Sequence, residues 1–318
     1  MAQANVVDAD PAVASARRRP GHGRQRARLR AGALFMAPAF IIMALFLLVP
    51  VAYAVYVSGT NMSLTGEGAA SPQWIGLDNF THILKDHGFF NALRVSLTYL
   101  VGSALIGQAV LGFLLALLMR HRRPWFKSVL GAIIVAAWII PDVVAGFLWF
   151  AVFAGGPNSI VSPGLFNSIV MTFGLPQHAW LQEYPMAAVI VANIWRGTAF
   201  SMLLYASALE SIPPELHEAA SIDGAGIWGK VRHITLPLLK GTVATDLVLI
   251  TLATLSDFTL VWVLTSGGAG ATQLLTIYTY QQAFRFYELG YGTAISLLIL
   301  AVGAVLSLVY IRVLRIEL

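Results

Sequence analysis

Three ionisable residues stand where water should be scarce. Asp142, Arg196 and Asp257 lie inside long apolar runs, and Asp246 lies nearer the end of one. Charges at membrane depth are costly, so each is a functional candidate by default. Arg196 can pair with Asp142 or Asp257, or the three can line a polar path for a solute. The run "NIWRGTAF" sharpens the second reading. It spaces Asn193, Arg196, Gly197 and Phe200 at i, i+3, i+4 and i+7, which puts them on one helix face. An amide, a cation, a bare backbone and an aromatic ring suit a sugar, whose hydroxyls bond to polar groups while its apolar face stacks on a ring. In the next run, Thr254, Asp257 and Val261 are also spaced to share a helix face. Helix packing is the plain alternative for each of these residues, Gly197 above all.

No covalent chemistry is visible. There is no cysteine, which excludes disulfides, thiolate metal sites and thiol nucleophiles. Ser58, Ser159 and Ser168 lack a G-x-S-x-G setting. His82, His87 and His178 fall at no metal-ligand spacing, so no metal site is expected. The stretch "GAGIWGK" lacks the Ser or Thr that must follow the lysine of a phosphate loop.

The elements that carry these residues follow from composition. Of 318 residues, 58% are hydrophobic and only 11% charged, with a mean hydropathy of +0.74. A soluble domain carries about 25% charge, so the chain reads as an integral membrane protein. Six runs reach the roughly 20 apolar residues that a spanning helix needs. They lie near 32–57, 93–119, 127–153, 186–208, 242–264 and 291–314. The fold class is therefore an all-α bundle of six transmembrane helices, because lipid cannot satisfy a bare backbone. The first run is too long for the apolar part of a signal peptide and is read as a retained span.

Sixteen of the twenty basic residues fall on one side of these spans. By the positive-inside rule that side, with both termini, is cytoplasmic. The net charge of +5 is thus a topology signal, and no nucleic-acid partner is needed to explain it. Residues 1–31 read as a disordered basic tail, either a simple orientation signal or a segment that also touches anionic membrane lipid, and 32–318 as the transmembrane domain, with its core at 93–314.

Between the fourth and fifth spans lies a polar segment, "IPPELHEAASIDGAGIWGKVRHITLPL". Pro213 and Pro214 favour a helix start, and Glu215 and Glu218 suit its positive end. Gly224 and Gly226 permit a sharp turn. A second short helix is expected over 227–234, and Pro237 marks entry to the next span. The segment reads as a helix–turn–helix elbow; a solvated loop is the plain alternative.

From Glu218 the pattern runs E-A-A, three residues, Gly224, nine residues, then Ile234, a spacer, Leu236 and Pro237. This is similar, at every defined position, to the EAA motif of ABC importer permeases. "WIGLDNF", "NIWRG" and "LTSGGAGATQLLTIYTYQQAF" resemble segments of the sugar, maltose-type branch, with Ala269 where that branch usually has proline. The resemblance implies a type I permease bundle in a bacterial cytoplasmic membrane. It implies that the elbow couples to a separate cytoplasmic ATPase dimer through Glu218, Ala219, Ala220, Asp223, Gly224, Gly226, Ile234, Leu236 and Pro237. It also implies a second, homologous permease subunit and an external sugar-binding protein. The substrate path would pass Asn193, Arg196, Gly197, Phe200, Thr254 and Asp257. The chain would hold no cofactor, with ATP and Mg bound by the ATPase. Such a chain is not an enzyme. The alternative is an autonomous ion-coupled carrier working through Asp142, Arg196 and Asp257; it predicts inverted repeats, and none is clear.

Overall fold

A computed structural model describes residues 35–120, 122–157 and 159–314. The basic tail read at 1–31 lies outside these residues. Helix α1 is Phe35–Ser58; its residues up to Ala54 belong to one unit and its last four to a second. The other helices of six or more residues belong to the second unit. They are α2 (Asp78–Ile83), α3 (His87–Met119), α4 (Pro124–Ile139), α5 (Asp142–Phe153), α6 (Leu165–Thr172) and α7 (Pro185–Glu210). Then follow α8 (Pro214–Ile222), α9 (Ile227–Leu255), α10 (Thr259–Thr265), α11 (Leu275–Tyr280) and α12 (Leu289–Val313).

The expected spans appear with two corrections. The third, expected as one helix over 127–153, is α4 and α5, bent by 105° at Pro141. Proline forces its predecessor out of the helical region, and Ile140 is extended, at φ −60°, ψ 129°. The fifth, expected over 242–264, runs earlier. Helix α9 starts at Ile227, absorbs the short helix expected at 227–234, and ends at Leu255. Pro237 therefore marks no boundary. A π turn over Val231–Thr235 lets the Leu236 N–H reach the Val231 carbonyl, and this register change accommodates a proline inside the helix.

Helix α7 is central. It packs on α3, α4, α5, α9 and α10. Three glycines of α3 let it approach closely: a Cβ at Gly102, Gly107 or Gly112 would strike Ile190, Ile194 or Ser201 of α7. Small residues do this work between membrane helices, where hydrophobicity cannot. At one end of the bundle, Ala116, Met202, Tyr205, Leu209, Ile212 and Leu239 form a core beside the elbow. Toward the other end, Val95, Tyr99, Val189, Ala192, Leu260 and Ile277 form another.

That far end is also tied by polar contacts. Asp86 caps α3, accepting from the Gly88 N–H at 2.8 Å, and it accepts from the hydroxyls of Tyr278 and Tyr291. Burial pushes the Asp86 carboxyl up, but these donors outweigh it and hold its pKa below the ordinary value. Helix α6 is also held in place there. It is anchored by the buried Asn167, which donates to the carbonyls of Ala154 and His178 and accepts from Trp180 Nε1 at 2.9 Å.

Candidate functional site

Two places collect the expected residues. The first is the elbow. Helix α8 begins at Pro214 as the residue types require. Its end is a Schellman turn. The Ala225 N–H bonds to the Ala220 carbonyl at 2.8 Å and the Gly224 N–H to that of Ser221 at 3.1 Å. Gly224 sits at φ +78°, where an L side chain costs roughly 1–2 kcal/mol. A Cβ there would meet nothing within 4 Å, so backbone geometry alone calls for glycine.

Gly226 differs. Its φ of −68° and ψ of 174° are open to any residue, so the second glycine makes no turn. Lys230 Nζ donates to Ser221 Oγ at 2.6 Å and clasps the two arms together.

The elbow is exposed. Glu218, Ala219, Asp223, Gly224 and Gly226 are open to solvent, and Ala220 is half-buried. Ile234 is half-buried, and Leu236 and Pro237 lie on the open side of α9. The motif pattern did not single out three apolar side chains beside the turn: Ile222, Ile227 and Trp228 are 88%, 85% and 73% exposed. Their position next to a rigid turn gives the elbow an apolar tip, the usual mark of a surface made to be covered.

The second place is a cavity of about 290 Å³ in the α7–α9 region. Asn193, Arg196, Gly197, Phe200 and Thr254 line it together. Trp138 and Gln108 join them from α4 and α3, and neither was apparent from local spacing. Gln108 lies at the end of a π-helical stretch, Leu100–Gln108, whose wider turns aim buried Ser103 and Gln108 at α7. Gln108 Nε2 donates to the Asn193 carbonyl at 3.1 Å and Asn193 Nδ2 donates to Ser103 Oγ at 2.8 Å. The Gln108 amide lies over Gly197, where a Cβ would overlap it. Glycine here makes room for a neighbour's side chain.

Asp257 does not share a helical face with Thr254 and Val261. Helix α9 stops at Leu255, and Asp257 sits in the break before α10. Ser and Asp compete for backbone hydrogen bonds and favour such endings. The Asp257 carboxylate, 5% exposed, accepts from the Tyr99 hydroxyl at 2.6 Å. Thr276 donates to the Asp257 carbonyl at 2.6 Å.

Arg196 pairs with Asp142, the first residue of α5, which the bend at Pro141 brings round to it. Asp246 is 0% exposed and accepts from Ser201 Oγ at 2.9 Å, away from the cavity lining. Among the described residues no group of three His, Cys, Asp or Glu side chains could hold a metal ion.

Residues 108–316 match the profile of the family described as the binding-protein-dependent transport system inner membrane component. The sulfoquinovosyl glycerol transport system permease protein SmoG of Agrobacterium fabrum is 31% identical over 291 residues, 89% of each chain. The trehalose/maltose transport system permease protein MalF of Thermococcus litoralis is 31% identical over 290 residues, 89% of this chain and 92% of its own. In fold, the chain is similar to a chain of a bacterial ABC transporter involved in the import of the acidic polysaccharide alginate. The TM-score is 0.75 at 24% identity, over 92% of this chain and 98% of that one.

Proposed function

The chain belongs to the family of binding-protein-dependent transport system inner membrane components, and from that membership we propose that it is the permease subunit of an ATP-driven carbohydrate importer. The observation that carries this reading is the elbow: an exposed, apolar-tipped helical turn on a chain whose sequence holds no phosphate loop.

The elbow docks on a separate ATPase subunit. Its rigidity has a cause, since the Schellman turn and the Lys230–Ser221 bond fix α8 against the start of α9. Because α9 runs unbroken from the elbow to the cavity wall at Thr254, a push on the elbow reaches the substrate path without crossing a flexible joint. A second, homologous permease completes the pore, and an external binding protein delivers the sugar. The elbow end and both termini face the cytoplasm, as the basic residues require. The cavity residues Asn193, Arg196, Gly197, Phe200 and Thr254 contact the passing sugar, and Asp257 supports the wall from behind.

Reconstitution into proteoliposomes with partner permease, ATPase and binding protein tests this. Uptake should require ATP and should stop in Gly224→Val while the ATPase still hydrolyses ATP. Sugar uptake driven by an ion gradient without the ATPase subunit would overturn it.

A further inference from the structure

The cavity carries a cation, yet that cation is already matched. Arg196 is 18% exposed at its side chain and pairs with Asp142, which is 45% exposed. The Asp257 carboxylate is engaged elsewhere, by the Tyr99 hydroxyl at 2.6 Å. One carboxylate therefore answers the one guanidinium. The other polar groups on the wall, Gln108, Asn193 and Thr254, are uncharged. The rings of Trp138 and Phe200 stand beside them, their centroids 6.0 Å apart.

We propose that Asp142 is a specificity-determining residue: by neutralising Arg196 it makes this cavity accept an uncharged, hydroxyl-rich ligand and disfavour an anionic one. This rests on the permease reading above, because only there is the cavity a substrate path. A carboxylate or sulfonate entering the site meets no free positive charge. To gain one it must displace Asp142, which leaves that carboxylate without its partner. A neutral sugar has no such cost. Its hydroxyls can bond to the amides of Gln108 and Asn193 and to the Arg196 guanidinium without parting the ion pair, since a guanidinium has five donors. Asp142 reaches Arg196 only because the span is broken at Pro141.

The absence of cysteine makes a direct test possible. Ala253, an exposed residue on the cavity wall, is replaced by cysteine in the assembled, detergent-solubilised transporter. The thiol is modified with 2-(trimethylammonium)ethyl or 2-sulfonatoethyl methanethiosulfonate. Labelling of this chain is followed by intact mass, and rates are normalised to those of a small free thiol. With Asp142 present the cationic reagent should react at least as fast as the anionic one. Asp142→Asn should shift the ratio toward the anionic reagent by about tenfold or more, and Asp142→Glu should leave it within about twofold of the unmutated cavity.

An unchanged ratio in Asp142→Asn, or an anionic preference with Asp142 in place, overturns the proposal. If Asp142→Asn fails to assemble, Arg196→Gln carries the test: the ratio must move toward the cationic reagent, and an unmoved ratio overturns it. Labelling needs no transport, so an expected shift in a complex without ATP-driven uptake would count against the permease reading alone.

Discussion

The elbow and the cavity wall both depend on a glycine, for opposite reasons. Gly224 has empty space around it and a left-handed backbone. Gly197 lies inside regular helix α7, with a neighbour's amide where its side chain would be. One glycine answers to its own dihedral angles, the other to a residue 89 positions away. The contrast extends to whole regions. The elbow is a local structure built from one stretch of chain and left uncovered. The wall is built from α3, α4, α7 and α9, and Gln108 of α3 is tied to Asn193 of α7 across it.

The largest effect should come from crowding the wall. Gly197→Val forces a side chain into Gln108 and should destabilise the bundle by about 1–3 kcal/mol, read as a lower Tm in detergent with uptake lost. Gln108→Ala in the same chain should recover part of that Tm. Without recovery, the crowding at Gly197 would have a source other than Gln108.

Next is the support behind the wall. Tyr99→Phe removes the hydroxyl from Asp257 and should cost about 1–3 kcal/mol, again read from Tm. A variant as stable as the parent would mean that Asp257 finds another donor.

The elbow should respond in the other sense. Gly224→Ala should cost about 1 kcal/mol locally and barely move Tm, while sugar transported per ATP hydrolysed falls several-fold. Trp228→Ala should change stability by less than about 0.5 kcal/mol, as exposed substitutions do, and so leave Tm nearly unmoved, yet weaken co-purification of the ATPase subunit. If Trp228→Ala unfolds the bundle instead, the elbow is not the free-standing surface described.

The last effect, on stability alone, concerns the far end, where Asp86 joins α3 to α11 and α12. Its pKa is lower folded than unfolded. Its contribution is therefore fully present above the unfolded value, near 3.8, and is lost as pH falls through the folded value. Asparagine caps a helix as well as aspartate, so what Asp86→Asn removes is the charge facing the Tyr278 and Tyr291 hydroxyls; thermal scans should show it costing about 1 kcal/mol near neutral pH and progressively less below about pH 4. A pH-independent difference would mean that the Asp86 charge does no work there.

Legibility in the sequence followed the same division. The elbow could be read almost in full, because Pro214, the Glu218–Ala220 triplet and Gly224 act over a few residues. The reading failed where the motif spoke of position and not conformation. Gly226 makes no turn, and the apolar tip of Ile222, Ile227 and Trp228 falls between the motif positions. On the wall, helical spacing placed Asn193, Arg196, Gly197 and Phe200 on one side of α7. It misplaces Asp257, because the apolar run continues through Ser256 while the helix ends at Leu255. It also left open which carboxylate meets Arg196.

By itself, the sequence determined which segments are apolar enough to enter a membrane, where the bulk of the positive charge gathers and how the elbow turns. These follow from transfer energies and local dihedral preferences, which each residue carries with it. Only the tertiary structure decided that Asp142 rather than Asp257 meets Arg196, that Gln108 covers Gly197 and that α9 passes unbroken through Pro237. Those outcomes depend on where a 105° bend points and where π turns shift the register. Bends and register shifts are selected by packing against helices that lie far away along the chain.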